Sequence, residues 1–298
     1  RVSSSAASDV YKRQMQKYRI ASNQIKAIFL EFTNKVESVS LDEAYLDVSD
    51  SKHFSGSASL LAKHIRERIY NEVGVTASAG VAPNKFLAKV ASDINKPNGQ
   101  YVITPDSIAN FISGLHLRRI PGVGKVLEKK LNQLGLTKCA DVQNYCVETL
   151  VKKIGSFGYT LYQRSYGKDN REVKERSIRK SVSVERTFSQ DLDNIDNCFE
   201  KIYLLIESFQ ERLYKLQDSY FAKAYFVKIK FNDFSQTTLE RSNINTLDVD
   251  IIKEMYMEAW KRGSKPARLL GLGARLVPKE ECQNLSLIHI SEPTRRLV

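Results

Sequence analysis

SVSLDEAYLDVSD, residues 38–50, places two adjacent carboxylates, Asp42 and Glu43, between short segments of β-forming residues. Val36, Val39 and Leu41 precede the pair, and Tyr45, Leu46 and Val48 follow it. That alternation predicts two strands meeting at a tight bend. In mid-strand the two acids would point to opposite faces, whereas at a bend both can project to one side. Hard oxygen ligands on a rigid sheet edge suit Mg²⁺, which takes one or two carboxylates and fills its shell with substrate phosphates. An arbitrary Asp-Glu pair is more often a solvated acidic turn, so the rest of the chain decides.

Around the hairpin the apolar residues recur at helical and strand periods. Residues 18–32 carry Ile20, Ile25, Ile28 and Phe29 at helical spacing. Residues 59–73 read as an amphipathic helix with Leu60, Leu61, Ile65 and Ile69 on one stripe. VTASAGV (75–81) predicts a strand, residues 84–94 a helix, NKPNG (95–99) its break, and residues 100–103 a further strand. This β-α-β-α-β order predicts a sheet with helices on one side. Residues 115–167 are helical and glycine-punctuated. KDNREVKERSIRK (168–180) reads as an exposed linker, although a solvated helix fits it as well. A second unit follows, with strands at 181–188, 221–231, 235–241 and 267–277 and helices at 195–216 and 249–260. The fold class expected is α+β and multidomain.

The chain's 298 residues exceed one typical domain and allow two or three packed units. No apolar run is long enough to cross a membrane, and no signal peptide with an h-region is present, so a soluble, cytoplasmic protein is expected. The formal net charge of +12 favours a polyanionic partner, nucleic acid before anionic lipid. Cys139, Cys146, Cys198 and Cys282 form no CxxC pair, and no His falls at zinc-ligand spacing. They read as reduced, incidental thiols. Residues 1–14 and 286–298 read as foreign, adapter-like ends, which places the start of the gene before Met15.

Three further constellations carry chemistry. Lys96, on the tight NKPNG loop, is a point charge suited to a triphosphate, or an ordinary turn lysine. IPGVGKVLEKKLNQLG (120–135) reads as a helix-hairpin-helix pattern of non-sequence-specific DNA binding; a PGVG turn also serves plain helix packing, but the K…KK…L…LG order that follows argues against that. Gly122 and Gly124 permit the turn and let backbone N–H groups approach a phosphate, Lys125 adds a cation, and Val123, Leu127, Leu131 and Leu134 form the packing stripe. A weaker echo, IGSFG, lies at 154–158, and another glycine-containing helical turn fits it nearly as well. In the third, Lys228 and Lys230 fall on one face of a strand, with Val227 and Ile229 on the other. A basic face beside Arg179, Lys180 and Arg186 could follow a duplex backbone, and a solvated outer face fits equally.

SLDEAYLDV, TASAGVAPNKFLAKVASDINKPNGQ, IPGVGK and KSVSVERTF occur in this order. Together they resemble the Y-family DNA polymerases of the bacterial DNA polymerase IV (DinB) type, from about Tyr18 to about Val277. The resemblance implies a partial palm at 15–113, a thumb at 114–168, a linker at 169–180, a little finger at 181–279 and a partly foreign tail at 280–298. It implies that Asp42 and Glu43 are the second and third metal-binding carboxylates for two Mg²⁺ ions, with Ser40 supporting their turn. Lys96 would contact the triphosphate, and Gly122, Val123 and Gly124 the duplex phosphates. The partners implied are primer–template DNA and a deoxynucleoside triphosphate, acting on a monomer. A sliding clamp is a further candidate through QNLSL (283–287).

An open site in this family implies translesion synthesis with modest fidelity. The family's first metal-binding Asp, its sugar-selecting aromatic and its fingers have no counterpart before Met15. The chain as given is therefore expected to be inactive. Its rivals are a DNA-binding remnant and a helix-hairpin-helix repair nuclease or scaffold.

Overall fold

In the computed structural model the described residues are 15–174, 178–242, 244 and 248–279. The expected foreign ends, Cys282 and the clamp-like QNLSL lie outside them. The chain divides into two units, Arg1–Arg176 and Ser177–Val298.

Unit 1 opens with helix α1 (Met15–Leu30), and its hairpin follows as β1 (Val36–Ser38) and β2 (Ala44–Leu46), paired antiparallel. Helix α2 (Ala58–Arg68) starts at Ser57, whose hydroxyl accepts the Leu60 N–H, and runs on through a π-turn, Ile69–Val73. Leu61, Ile65 and Ile69 pack with Ile25, Ile28 and Phe29. Leu60 does not share that stripe: it is 54% exposed, against 2% for Leu61. Spacings of four keep 61, 65 and 69 on one face, whereas adjacent residues are turned by about 100°.

Strand β3 (Ala79–Val81) pairs in parallel with β4 (Gln100–Val102), and helix α3 (Lys85–Ser92) lies between them in sequence. The strand expected from Val75 starts only at Ala79. The single sheet expected from the β-α-β-α-β order is also not found. Among the described residues the unit holds two separate two-stranded ladders, β1–β2 and β3–β4. Alternation along a strand shows which face is buried and says little about its partner, and strands of three residues carry little such signal.

Asn84 caps α3, its side-chain oxygen accepting the Leu87 N–H at 3.0 Å. The helix buries Phe86, Leu87, Val90 and Ala91 in a core that continues through α4 (Ile108–Ser113) into four more helices. These are α5 (Lys125–Gln133), α6 (Cys139–Gln143), α7 (Val147–Ile154) and α8 (Phe157–Ser165). Leu131, Leu150 and Leu161 belong to the same core as Phe86. The segments 15–113 and 114–168, expected as partial palm and thumb, thus share this core. Cys139 and Cys198 are free and buried, and burial pushes both thiols up to about 12.

The start of the expected exposed linker is instead held in place. Asp169 pairs with Arg171 at 2.7 Å, and its side chain is only 6% exposed. The Glu172 carbonyl accepts from Lys85, and the Lys174 N–H donates to Glu37. Lys168, Asn170, Arg171, Glu172 and Lys174 are exposed, as their charge suggests, but Glu172 and Lys174 also bond to Lys85 and Glu37, which are distant in sequence.

Unit 2 comprises β5 (Ser181–Leu192), α9 (Ile195–Tyr214), β6 (Tyr220–Phe231), β7 (Gln236–Ser242), α10 (Val249–Lys261) and β8 (Ala267–Pro278). The sheet order is β5-β8-β6-β7, antiparallel throughout. Residues from both helices join Val182, Val184, Val227, Ile229, Leu270 and Leu272 in one core. The other sheet face carries Ser183, Glu185, Phe226, Lys228, Gly271 and Gly273, as the register requires. At Gly271 a Cβ would lie 3.0 Å from the Glu185 side chain and 3.3 Å from that of Lys228, so a larger residue would crowd the place where these two side chains cross.

Candidate active site

The hairpin turn that carries the acidic pair is closed by its own backbone. The Val39 and Ser40 N–H groups both donate to the Glu43 carbonyl, at 2.9 and 3.2 Å. Ser40 Oγ donates to Asp42 Oδ1 at 2.5 Å and accepts the Asp42 N–H at 3.3 Å. Asp42 and Glu43 are exposed. These are hard oxygen donors on a short, hydrogen-bonded turn, a donor set that fits Mg²⁺. Among the described residues no group of three or more His, Cys, Asp or Glu converges on a metal site, so the protein contribution found here is two carboxylates.

Two charged residues that the motifs do not single out tie Glu43 to Lys96. Lys89, one turn along α3 from Lys85, places its Nζ 2.7 Å from Glu43 Oε1 and 3.8 Å from Asp93 Oδ2. Asp93 Oδ1 in turn lies 2.5 Å from Lys96 Nζ. Burial pulls the Lys89 ammonium down, but its hydrogen bond to Glu43 and the charges of Asp93 and Glu43 outweigh this and hold it above its ordinary value.

The Lys96 loop is fixed by Arg66 of α2, which also carries no motif. Arg66 Nε donates to the Ala77 carbonyl at 2.8 Å, and its Nη2 donates to the Asn98 carbonyl and side-chain oxygen at 2.5 and 2.9 Å. A lysine or arginine on an amphipathic helix gives no local sign of a partner dozens of residues away. The one available hint is Lys89's place four residues before Asp93, the spacing of a helical ion pair.

Beneath the hairpin lies a buried cation. Lys85 is 8% exposed and donates to both oxygens of Glu37, at 2.7 and 2.6 Å. Its ammonium also lies over the Tyr45 ring, 5.1 Å from the centroid. Burial raises the Glu37 carboxyl, but the Lys85 and Lys174 hydrogen bonds overcome this and leave it below the usual carboxylate range. Glu37 and Tyr45 are opposite each other in the β1–β2 register, so this pair braces the strands that carry Asp42 and Glu43.

The helix-hairpin-helix turn places Gly122 at φ +99°, where a Cβ would also lie 2.8 Å from the Phe157 ring. Gly124 precedes the first turn of α5, whose leading N–H groups have no intrahelical acceptor. Lys125 there is exposed. Val123 differs: it is buried, and its N–H donates to the Ile120 carbonyl at 3.0 Å, which leaves that group engaged within the turn. The buried Arg164 supports the turn by donating to the Pro121 carbonyl at 2.5 Å. A shallow pocket of about 340 Å³ beside it is lined by Gly124, Lys125, Val126, Leu127, Lys130 and Ile154.

In unit 2 the expected basic face is mixed. Lys228 and Lys230 share the face away from the helices, and Val227 and Ile229 are fully buried on the other. Lys228 pairs with Glu185 at 3.1 Å across Gly271. Arg186 is not beside them: it is opposite Leu270, in the row of Ile229, and so belongs to the helix-packed face. A shift of one residue reverses the face, and pairing across three strands is not visible in the sequence. Lys180 is the residue whose carbonyl accepts the Leu276 N–H, and the Arg179 N–H donates to the Tyr220 hydroxyl. Motif reading also misses Arg275, which pairs with Glu240 at 2.9 Å and lies over Phe226, and Arg268, which lies over the exposed Phe234 ring.

Comparison with known proteins gives matches along the chain. The impB/mucB/samB family model matches residues 6–93, the model of the DNA polymerase-iota thumb domain residues 118–169, and the impB/mucB/samB family C-terminal domain residues 179–287. DNA polymerase IV of Ectopseudomonas mendocina (strain ymp) is 48% identical over 267 residues, covering 90% of this chain and 76% of that protein. DNA polymerase IV of Pseudomonas syringae pv. tomato is 46% identical, covering 90% and 75%. Among solved structures, a Y-family DNA polymerase chimera of Dbh and Dpo4 superposes with a TM-score of 0.78 at 26% identity, over 88% of this chain and 76% of that one. A Dbh ternary complex superposes with a TM-score of 0.57 at 25% identity, over 87% and 78%.

Proposed function

This chain belongs to the Y-family DNA polymerases of the DNA polymerase IV type, and from that premise we propose that its α3-side hairpin is the nucleotidyl-transfer site of template-directed translesion synthesis. One observation carries the reading. Glu43, next to Asp42 on the hairpin turn, and Lys96, some fifty positions later, are linked through just two intervening side chains, Lys89 and Asp93. Carboxylates for cations and an ammonium for a triphosphate are thereby brought to one place.

In the reaction the primer 3′-hydroxyl oxygen gives up its proton to solvent and bonds to the α-phosphorus of a deoxynucleoside triphosphate, the bond from that phosphorus to the oxygen bridging to the β-phosphorus breaks, and pyrophosphate leaves. Asp42 and Glu43 would hold Mg²⁺, which when bound supplies charge neutralisation and polarisation of phosphate oxygens. Ser40 fixes the Asp42 carboxylate by a hydrogen bond, so little reorganisation is needed when a ligand arrives. Lys96 offsets triphosphate charge, and Arg66 holds the loop that presents it. The work asked of these residues is positioning and electrostatics, with no covalent intermediate on the protein.

Primer–template DNA would be held through phosphates. Gly124, Lys125 and the open N–H groups at the start of α5 suit one phosphate run, with Gly122 allowing the turn and Val123 anchoring it. Lys228, Lys230 and Arg179 suit a second, which makes affinity fall steeply with salt, whereas Lys180, bonded to the buried Leu276, has the parity of Val182 and faces the helix side. Arg186 is not part of that second surface, since it lies in the row of Leu270 and Ile229 on the other face.

A second reading, binding of primer–template without extension, is favoured by the two-carboxylate count among the described residues. Single-nucleotide addition with Mg²⁺, measured for the chain, Asp42→Ala and Lys96→Ala, separates the two. Polymerase activity requires extension by the chain, its loss in Asp42→Ala, and a raised nucleotide KM in Lys96→Ala. Salt-sensitive DNA binding without any extension selects the second reading, and extension unchanged in Asp42→Ala overturns the site.

A further inference from the structure

The Glu43–Lys89–Asp93–Lys96 row alternates two anions with two cations, and each inner member is shared between two partners. Lys89 Nζ is 2.7 Å from Glu43 but 3.8 Å from Asp93, whereas Asp93 is 2.5 Å from Lys96. Lys89 therefore sits on the acidic hairpin where a cation would bind, and Asp93 holds the ammonium that a triphosphate would need. Lys89 and Asp93 lie within the stretch TASAGVAPNKFLAKVASDINKPNGQ, but the motif reading gives neither of them a role.

We propose that this row is a relay that makes cation capture at the acidic hairpin and triphosphate capture at Lys96 cooperative. The inference rests on reading Asp42 and Glu43 as cation ligands and Lys96 as a triphosphate contact. When Glu43 is taken by a divalent cation, Lys89 loses its nearer partner and turns to Asp93, which is already within reach. Asp93, satisfied by Lys89, then relaxes its hold on Lys96, and that ammonium is free for phosphate oxygens. By linkage the reverse also holds: a triphosphate that draws Lys96 away leaves Asp93 to attract Lys89 off Glu43. Lys89 and Asp93 are thus positioning residues.

Charge alone would give similar single-variant effects, so the test is a double-mutant cycle on the full chain, read by binding. Mn²⁺ affinity is measured by electron paramagnetic resonance for wild type, Lys89→Met, Asp93→Asn and the double variant, with Glu43→Ala as control. A fluorescent deoxynucleoside triphosphate is titrated against the same set in EDTA. Because these pairs are partly exposed, effects of about threefold are expected: Lys89→Met tightens Mn²⁺ and Asp93→Asn weakens it, with opposite signs for the triphosphate. The relay requires the Asp93→Asn effect on Mn²⁺ to vanish once Lys89 is Met, and the Lys89→Met effect on the triphosphate to vanish once Asp93 is Asn.

Additive effects in both titrations overturn the relay while leaving the site reading intact, provided Glu43→Ala abolishes Mn²⁺ binding. Mn²⁺ binding that is no tighter in wild type than in Glu43→Ala overturns the site reading and the relay together.

Discussion

Lys85 and Glu37 show what one buried pair does for an exposed site. The ammonium is nearly out of water, and it is neutralised by two short contacts to Glu37 and one to the Glu172 carbonyl. Removing one partner of such a pair costs more than the pair contributes, because the survivor is left buried and uncompensated. Glu37→Gln is expected to destabilise unit 1 by about 2–4 kcal/mol at pH 7, measured by urea unfolding. The sign of the pH dependence follows from the depressed Glu37 carboxyl. Its contribution is present above the unfolded value, about pH 4.3, and is lost as pH falls through the lower folded value. The gap between wild type and Glu37→Gln should therefore close below about pH 4. A gap that stays constant to pH 3 would contradict this. At this scale Asp42, Glu43 and Lys96 are legible in the sequence, because each sits in a short run with its own chemistry. Lys85, Lys89, Asp93 and Arg66 are not, because their meaning lies in partners that only the fold brings near.

Elements are legible in kind and less so in pairing. The helices around Ile28, Val90, Phe209 and Tyr256 and the four long strands of unit 2 fall where their apolar periods place them. The three-residue strands of unit 1 do not form the expected sheet, and Arg186 lands on the opposite face from Lys228. Both departures come from strand register, which depends on neighbours across the sheet. The register also yields an outcome the strand alone does not suggest, since Lys228 is held by Glu185 across Gly271. Glu185→Gln should release that ammonium for a DNA phosphate. Affinity for duplex DNA at low salt is expected to rise about twofold to fivefold, and the slope of log K against log salt to steepen by about 1. Fluorescence anisotropy across a salt series measures both. An unchanged slope would show that Lys228 does not reach the duplex.

On the scale of the molecule, the two units carry separate cores. Leu131 lies in one and Ile229 in the other, both fully buried. The chain's single tryptophan, Trp260, packs edge-on against Phe231 in unit 2, so its fluorescence reports that unit. Ile229→Ala should lower the fluorescence-detected stability by about 2–5 kcal/mol. Leu131→Ala should lower stability comparably by circular dichroism and leave the fluorescence midpoint in place. If Leu131→Ala moves the fluorescence midpoint by as much, the units do not unfold separately.

The division into two units and the basic balance are legible from length, charge and the charged run after Gly167. The packing of that run's first half onto Glu37 and Lys85 is not. What the whole molecule is for turns on the acidic hairpin, and the most direct measurement is the anomalous difference map of crystals soaked in Mn²⁺ with a deoxynucleoside triphosphate. The expected result is a peak within coordination distance of Asp42 and Glu43 oxygens, with the triphosphate beside Lys96. Manganese bound on the triphosphate with both carboxylates turned away from it would contradict the account.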